Sequence, residues 1–434
     1  MTTVVELMTG PRAAEFLQAA LTGRPGEQVP GFRCTVDRVH DRVGAETSVT
    51  YQVSYTTPDG PVSDFLVATT ADVDSAAGVE IDTVRIRVWR HPDDPRLPGL
   101  AGACTPEVLR SWLPTGAASA PQGSTGPKPP TRIEESGADV EAGADESAGA
   151  MTPGVEGPGV PGPGRDVTDL LVYRPLRRAV LRTRRGSDTY FTKVVRPKNG
   201  ELLRRRHELL TGLGPDVVAT PEPGVLITAH APGSSLAVAL SAWQLGESDR
   251  RPDPRDAVAL LDRLPAQVAS LPARPSWTDR VDFYREMAAV RLPQRTHEIR
   301  AMGAEIAALA KRFPVGPVVP THGDFHDGNV FCEGGRPTRM IDVDTVGPGR
   351  REDDLACMIA HLAVLPNLSP VHYPRGAEIT DSWTAVFEEV VDPGALRTRV
   401  AGVLLSLVSV PDTSMALTRL DLVRSWLWRA SAAG

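Results

Sequence analysis

Residues 114–165, from "PTGAASAPQGSTGPKPP" to "GVEGPGVPGPG", hold glycine, proline, alanine and acids, with almost nothing a folded core could bury. Such a composition cannot offset the entropy of ordering the chain, so the segment reads as a disordered linker or an insertion. The rest of the 434 residues must therefore fold on either side of it. That length exceeds one ordinary core, and two or three domains are expected.

Composition removes several classes. The apolar share of 41% suits a globular protein, and a formal charge of −7 gives no reason to expect nucleic acid or an anionic membrane surface as a partner. No run of about 20 apolar residues is present. The start "MTTVVELMTGPRAAEF" lacks the basic opening and apolar stretch of a secretory signal, so a cytoplasmic protein is expected. The four cysteines, Cys34, Cys104, Cys332 and Cys357, form no CxxC pair, which argues against a disulfide framework or a zinc site. Monomer and homodimer stay equally open.

Before the linker, residues 1–113 carry strand signals. "TSVTYQVSYTT" alternates, "DFLVATT" follows a "PDG" turn, and in "DTVRIRVWR" Val84, Ile86 and Val88 point one way while Arg85, Arg87 and Trp89 point the other. "TPEVLRSWL" predicts a helix capped by Thr105 with Pro106 at its first position. After the linker, residues 166–233 read as a small sheet with a hairpin turn at "RGSD" and one helix over "GELLRRRHELLTGLG", closed by Gly214. Residues 234–434 are mostly helical, with helices expected over 235–244, 255–270, 276–291, 295–312, 379–389 and, in broken segments, 394–430. The exception is 317–345, where short strands surround "THGDFHDGN".

That exception gathers the chemistry. Asp324 sits in a loop after "PVVPTH", and Asn329 comes five residues later at the mouth of the strand "NVFC". Asp342 follows Met340 and Ile341, and two short strands joined by "EGGRP" would return it close to Asn329. An aspartate and an asparagine converging there offer hard oxygen ligands of the kind magnesium accepts. Asp324 then stays available to orient a substrate hydroxyl and receive its proton.

The segment "HGDFHDGN" followed by "IDVD" resembles the catalytic core of the aminoglycoside phosphotransferase-like (choline kinase-like) small-molecule kinases. The spacings of five and thirteen residues are also similar to those of protein kinases. The resemblance implies that Asp324 is the catalytic aspartate, with Asn329 and Asp342 the metal-binding pair. It makes His322 the histidine that keeps the loop in shape, and Asp354 in "DDLAC" a structural brace. Asp344 is a weaker candidate for metal or substrate. The fold it implies is α+β and two-lobed, protein-kinase-like, with a small antiparallel sheet lobe and a larger helical lobe, here preceded by a small α/β cap domain. The cofactors it implies are ATP and Mg2+, and the partner is a small-molecule hydroxyl acceptor such as a sugar, amino sugar or aminoglycoside.

Upstream residues follow the same order. Lysine is confined to Lys128, Lys193, Lys198 and Lys311, and Lys193 in "YFTKVV" alternates with Phe191 and Val195 along a strand. By the resemblance it would sit on the nucleotide phosphates, partnered by Glu208, well inside the following helix, in preference to Glu201. "LITAHAPGSSL" resembles the family's linker between lobes, so backbone groups from Thr228 through His230 to Ala231 would read the adenine edge. No G-x-G-x-x-G precedes Lys193, which leaves Gly186 and Ser187 as the phosphate-loop candidates. The N-terminal part, with "WRHPDDPRLPGL", resembles the cap segment of actinobacterial sugar and metabolite kinases. The acids Glu298, Glu305, Asp381, Glu388 and Glu389 are unranked candidates for selecting the acceptor. The rival reading is a pseudokinase or nucleotide-binding module, which would bind nucleotide without transfer.

Overall fold

The computed structural model describes residues 3–41, 46–74, 77–114 and 166–433, so the expected linker lies outside the described residues apart from Pro114. The described chain divides into two compact units. One holds residues up to 114, 166–204 and 217–229; the other holds 205–216 and 230–433. Among the described residues no helix is long and apolar enough to cross a membrane.

The first unit opens with α1 (Val4–Thr9) and α2 (Ala13–Thr22). At α1 the Glu6 N–H donates to the Thr3 hydroxyl and the Thr3 N–H to the Glu6 carboxylate, a reciprocal cap that satisfies two end groups. Five antiparallel strands follow: β1 (Arg33–Asp41), β2 (Thr47–Thr57), β3 (Gly60–Thr69), β4 (Ala77–Ile81) and β5 (Val84–Arg90), in the order β1-β2-β3-β5-β4. The alternation in β5 holds on one side: Ile86 and Val88 are buried with Phe16 and Leu17 of α2 and Tyr51 of β2. On the other side Trp89 is also buried, in a second core. Next come α3 (Gly99–Cys104) and α4 (Pro106–Trp112). Thr105 occupies the cap position before Pro106 as expected, but its hydroxyl donates back to the Ala101 carbonyl and does not cap α4.

A second antiparallel sheet comprises β6 (Val167–Arg174), β7 (Arg178–Arg185), β8 (Asp188–Val195), β9 (Val217–Ala219) and β10 (Val225–Ala229), ordered β6-β7-β8-β10-β9. The "RGSD" turn joins β7 to β8, with Gly186 at φ 60°, where a side chain would be strained. The two sheets share the core that takes in Trp89. It runs from Val67, Leu97 and Leu100 to Tyr173, Leu181, Tyr190, Val194 and Ile227. Inside it the Trp89 indole N–H donates to the Tyr173 hydroxyl at 3.3 Å, and that hydroxyl donates to Asp94 at 2.8 Å. Asp94 also accepts from the backbone N–H groups of Leu176 and Arg96. Helix α5 (Pro197–Leu209) lies against the opposite face of the second sheet, where Leu203 packs with Val195 and Leu226. Lys193 is on that face too, between Val180 and Leu226 as cross-strand neighbours.

The second unit carries β11 (Ser234–Ser235), α6 (Leu236–Gln244), α7 (Pro254–Asp262), α8 (Val281–Arg291), α9 (Thr296–Arg312), β12 (Val318–Thr321), β13 (Val330–Glu333), β14 (Arg336–Met340), β15 (Gly347–Arg350), α10 (Arg351–Leu368), α11 (Gly376–Phe387), α12 (Pro393–Ser406) and α13 (Thr413–Ser431). Its centre is α10 against α12, both buried nearly all round. The sequence reading of helices omitted α10. Strands β11, β13 and β14 form one small sheet, and β12 pairs with β15.

Candidate active site

The polar loop runs from the end of β12 to the start of β13 and is buried along most of its length: His322, Asp324, His326, Asp327 and Asn329 are each at most 8% exposed. Its shape is set from below and from the side. Thr321 pairs with Gly347 across β12 and β15, and its hydroxyl donates to the Gly347 carbonyl. Gly323 takes φ 81°, and a Cβ there would lie 2.8 Å from the Thr345 carbonyl oxygen, so only glycine passes. Asp354 of α10 accepts the backbone N–H groups of His322 at 2.8 Å and Gly323 at 2.7 Å. Its carboxyl is pushed up to about 7 by burial, against which those two hydrogen bonds pull.

Two of the expected residues meet directly, and the backbone brings the third to the end of the neighbouring strand. The Asn329 amide donates to the Asp324 backbone carbonyl at 3.0 Å and to the Asp324 carboxylate at 3.2 Å. Strand β13 pairs with β14 through Val330 and Met340, and the next N–H, that of Ile341, donates to the Asn329 carbonyl at 2.8 Å. Asp342 thus follows directly on the pairing. Its backbone takes φ 52° and ψ 57°, a left-handed conformation that aspartate tolerates better than most residues. His322 donates from Nε2 to the Ile341 carbonyl at 3.0 Å, tying the start of the loop to the residue before Asp342. Burial lowers the His322 pKa, while the charge of Asp342 opposes the shift. Asp344, also buried, sits in the turn that follows.

The donor set suits a hard cation. With the Asn329 amide nitrogen committed to Asp324, the carbonyl end of the same side chain is the acceptor it still presents, and Asp342 adds a carboxylate. A second polar trio, His326, Asp327 and His361, brings its ligand atoms within 4.8 Å of one another. Its geometry does not suit a metal. The two imidazoles stack nearly parallel, 4.3 Å between centroids and 13° between planes, so their in-plane lone pairs cannot converge. Nδ1 of His326 already accepts from the Gly328 N–H.

The remaining expected residues divide between the units. Lys193 and Thr228 belong to the first; Glu208, His230 and Ala231 belong to the second. Glu208 is exposed in the last turn of α5, whereas the sequence reading had it well inside the helix, because α5 stops at Leu209 and Gly214 lies beyond a turn. That turn is fixed to the end of β14 and the start of β15: the Met340 N–H donates to the Leu213 carbonyl, and Arg206 donates to the Val346 carbonyl. Glu201 pairs with Arg204. Thr228 and Ala231 are buried and His230 is exposed, its ring edge-on to Phe331. The five acids considered for acceptor selection are all engaged: Glu298 with Arg295 and Arg424, Asp381 with Arg429, Glu388 with Arg397, Glu389 with Arg255, and Glu305 with Ser431.

Residues 176–372, which span both the Lys193 strand and this loop, match the model of the phosphotransferase enzyme family. The match covers less than half of the chain, and over that segment the chain is similar to this family. No curated protein sequence matches the chain. Among solved structures it is similar to a choline/ethanolamine kinase family protein from Mesorhizobium loti, at 18% identity over 58% of this chain and 88% of that one, TM-score 0.41. It is also similar to a Plasmodium vivax ethanolamine kinase, at 14% over 60% and 84%, TM-score 0.38. A third is the ADP-bound aminoglycoside phosphotransferase APH(2'')-Ib, at 13% over 62% and 94%, TM-score 0.38.

Residues that sequence reasoning missed lie on α10. Cys357 donates its S–H to Asp324 Oδ1 at 3.8 Å, and His361 stacks on His326. No motif carried either of them; the available signal was that they follow Asp354 at helical spacing.

Proposed function

We propose that the protein transfers the γ-phosphoryl group of ATP to a hydroxyl of a small metabolite, with Asp324 as the catalytic base. The observation that carries this is the Asp324–Asn329 clamp, with Asp342 delivered beside it by the Ile341–Asn329 backbone bond. The acceptor oxygen forms a bond to the γ-phosphorus as the bond from that phosphorus to the bridging oxygen of ADP breaks. The hydroxyl proton passes to the Asp324 carboxylate. Asn329 holds that carboxylate in one orientation, so the proton acceptor is in place before the substrate arrives. Asn329 and Asp342 would hold Mg2+, which when bound offsets the negative charge of the phosphates. His322 is a positioning residue, tying the loop to Ile341.

By their order in the chain, Lys193 supplies the cation for the nucleotide phosphates and Glu208 its carboxylate partner. The backbone from Thr228 to Ala231 reads the adenine edge. ATP as donor is consistent with work in the cytoplasm. The acceptor is a small-molecule hydroxyl such as that of a sugar, amino sugar or aminoglycoside.

The test is magnesium-dependent ADP release across a panel of sugars, amino sugars, aminoglycosides and choline-like alcohols, with wild type and D324A. D324A should bind ATP as wild type does and lose at least about 10²-fold in turnover. Near-normal transfer by D324A refutes the assignment of the base. Nucleotide binding by wild type without transfer to any acceptor would support a binding module instead.

A further inference from the structure

The polar residues of α10 follow a helical stripe. Asp354, Cys357 and His361 stand at i, i+3 and i+7 and so share one face. All three are buried within a helix whose remaining buried residues are mostly apolar. Burying polar groups there is costly unless each meets a partner. Their partners are successive points of the catalytic loop. Asp354 takes the N–H groups of His322 and Gly323, Cys357 meets Asp324, and His361 meets His326.

The tautomer of His326 completes the arrangement. Its Nδ1 accepts the Gly328 N–H at 3.1 Å, so in the neutral ring the proton is on Nε2. Nε2 itself lies 3.9 Å from Asp324 Oδ2, the oxygen that also accepts from Asn329, which is a close approach and not a hydrogen bond. Oδ1, the other oxygen, receives the Cys357 thiol. The carboxylate is therefore held at both oxygens, by Asn329 at one and by the thiol at the other, with the imidazole beside the first.

We propose that Cys357 and His361 are positioning residues for the catalytic aspartate. The Cys357 S–H fixes the rotation of the Asp324 carboxylate through Oδ1, and His361 holds the plane of His326, whose N–H faces Oδ2. A thiol suits this place because it is a weak donor. It orients the carboxylate without drawing much negative charge from it, so the carboxylate keeps its proton affinity. This rests on Asp324 being the base, and the tests are chosen to separate the two ideas.

The first test needs no turnover. The infrared S–H stretch of Cys357, isolated as the difference between wild type and C357A, should lie at lower wavenumber than the same difference taken in a D324A background. An unchanged band position overturns the thiol contact whether or not the protein is a kinase. The second test is kinetic. C357A should lower kcat about tenfold with KM for ATP within about twofold, and C357S, which keeps a donor, should recover most of the loss. H361F, which keeps a flat ring on His326, should retain more activity than H361A. A C357A enzyme with wild-type kcat, or an H361A enzyme as active as H361F, overturns the positioning roles. Absence of turnover in wild type, with the S–H shift intact, would count against the kinase reading alone.

Discussion

Replacing Tyr173 by Phe removes one oxygen atom from the centre of the first unit and leaves the shape of the core unchanged. Tyr173 is fully buried, its hydroxyl donates to Asp94 at 2.8 Å, and it accepts the Trp89 indole N–H at 3.3 Å. Asp94 keeps its Leu176 and Arg96 backbone partners in the variant, so the carboxylate is not stranded. The loss is then one hydrogen bond to a carboxylate, about 1.5–3 kcal/mol, together with about 1 kcal/mol for leaving the indole N–H without its partner. A total near 3 kcal/mol corresponds to about 10²-fold in an opening equilibrium. The assay is native-state hydrogen exchange at pH 8, read on peptides of β5, β6 and β7 and, as a control, of α12 in the other unit. Because Trp89 and Asp94 come from the N-terminal part while Tyr173 is on β6, both sheets should exchange about 10²-fold faster together, with α12 unchanged. Acceleration in β6 alone would show that the two sheets open independently and that their common core is not cooperative. Exchange within about threefold of wild type everywhere would refute the hydrogen-bond accounting itself.

Two further outcomes follow from the same geometry. His91 packs between the rings of Phe65 and Tyr173, and burial pushes it down to about 4 from an ordinary value near 6.5. As pH falls below about 6.5 the unfolded chain takes up a proton that the folded chain refuses, so stability is lost down to about pH 4. Relative to H91Q, wild type should lose about 2 kcal/mol between pH 8 and pH 5 in urea-unfolding midpoints, and a pH-independent difference would refute the buried neutral ring. Gly323→Ala should cost at least about 2 kcal/mol, since it combines φ 81° with a Cβ 2.8 Å from the Thr345 oxygen, and should lower kcat through the adjacent Asp324. Wild-type unfolding and turnover in that variant would remove the steric argument.

The polar loop was legible because its residues are chemically unusual for their setting: seven polar or glycine positions between apolar runs, with Asp342 at a fixed distance beyond. Strands β2 and β5 were legible through their alternation, which put Trp89 on the face opposite Ile86 and Val88; a period of two marks opposite faces without saying that both are covered. The end of α5 was misjudged because its leucine pattern continues through the turn at 210–214. Helix α10 was missed for a different reason. A helix covered on every side shows no 3.6-residue contrast between apolar and polar faces, and "LACMIAHLAVL" carries none. What such a helix does reveal is where polar side chains recur within it, because each must find a partner in the interior. Asp354, Cys357 and His361 recur at i, i+3 and i+7, which places them on one face. Asp354 by itself reads as a brace for the loop. Taken with Cys357 and His361 it makes α10 the template on which His322, Gly323, Asp324 and His326 are laid out in sequence. Precision at the proposed base then depends on a helix that contributes none of the proposed catalytic or metal-binding residues.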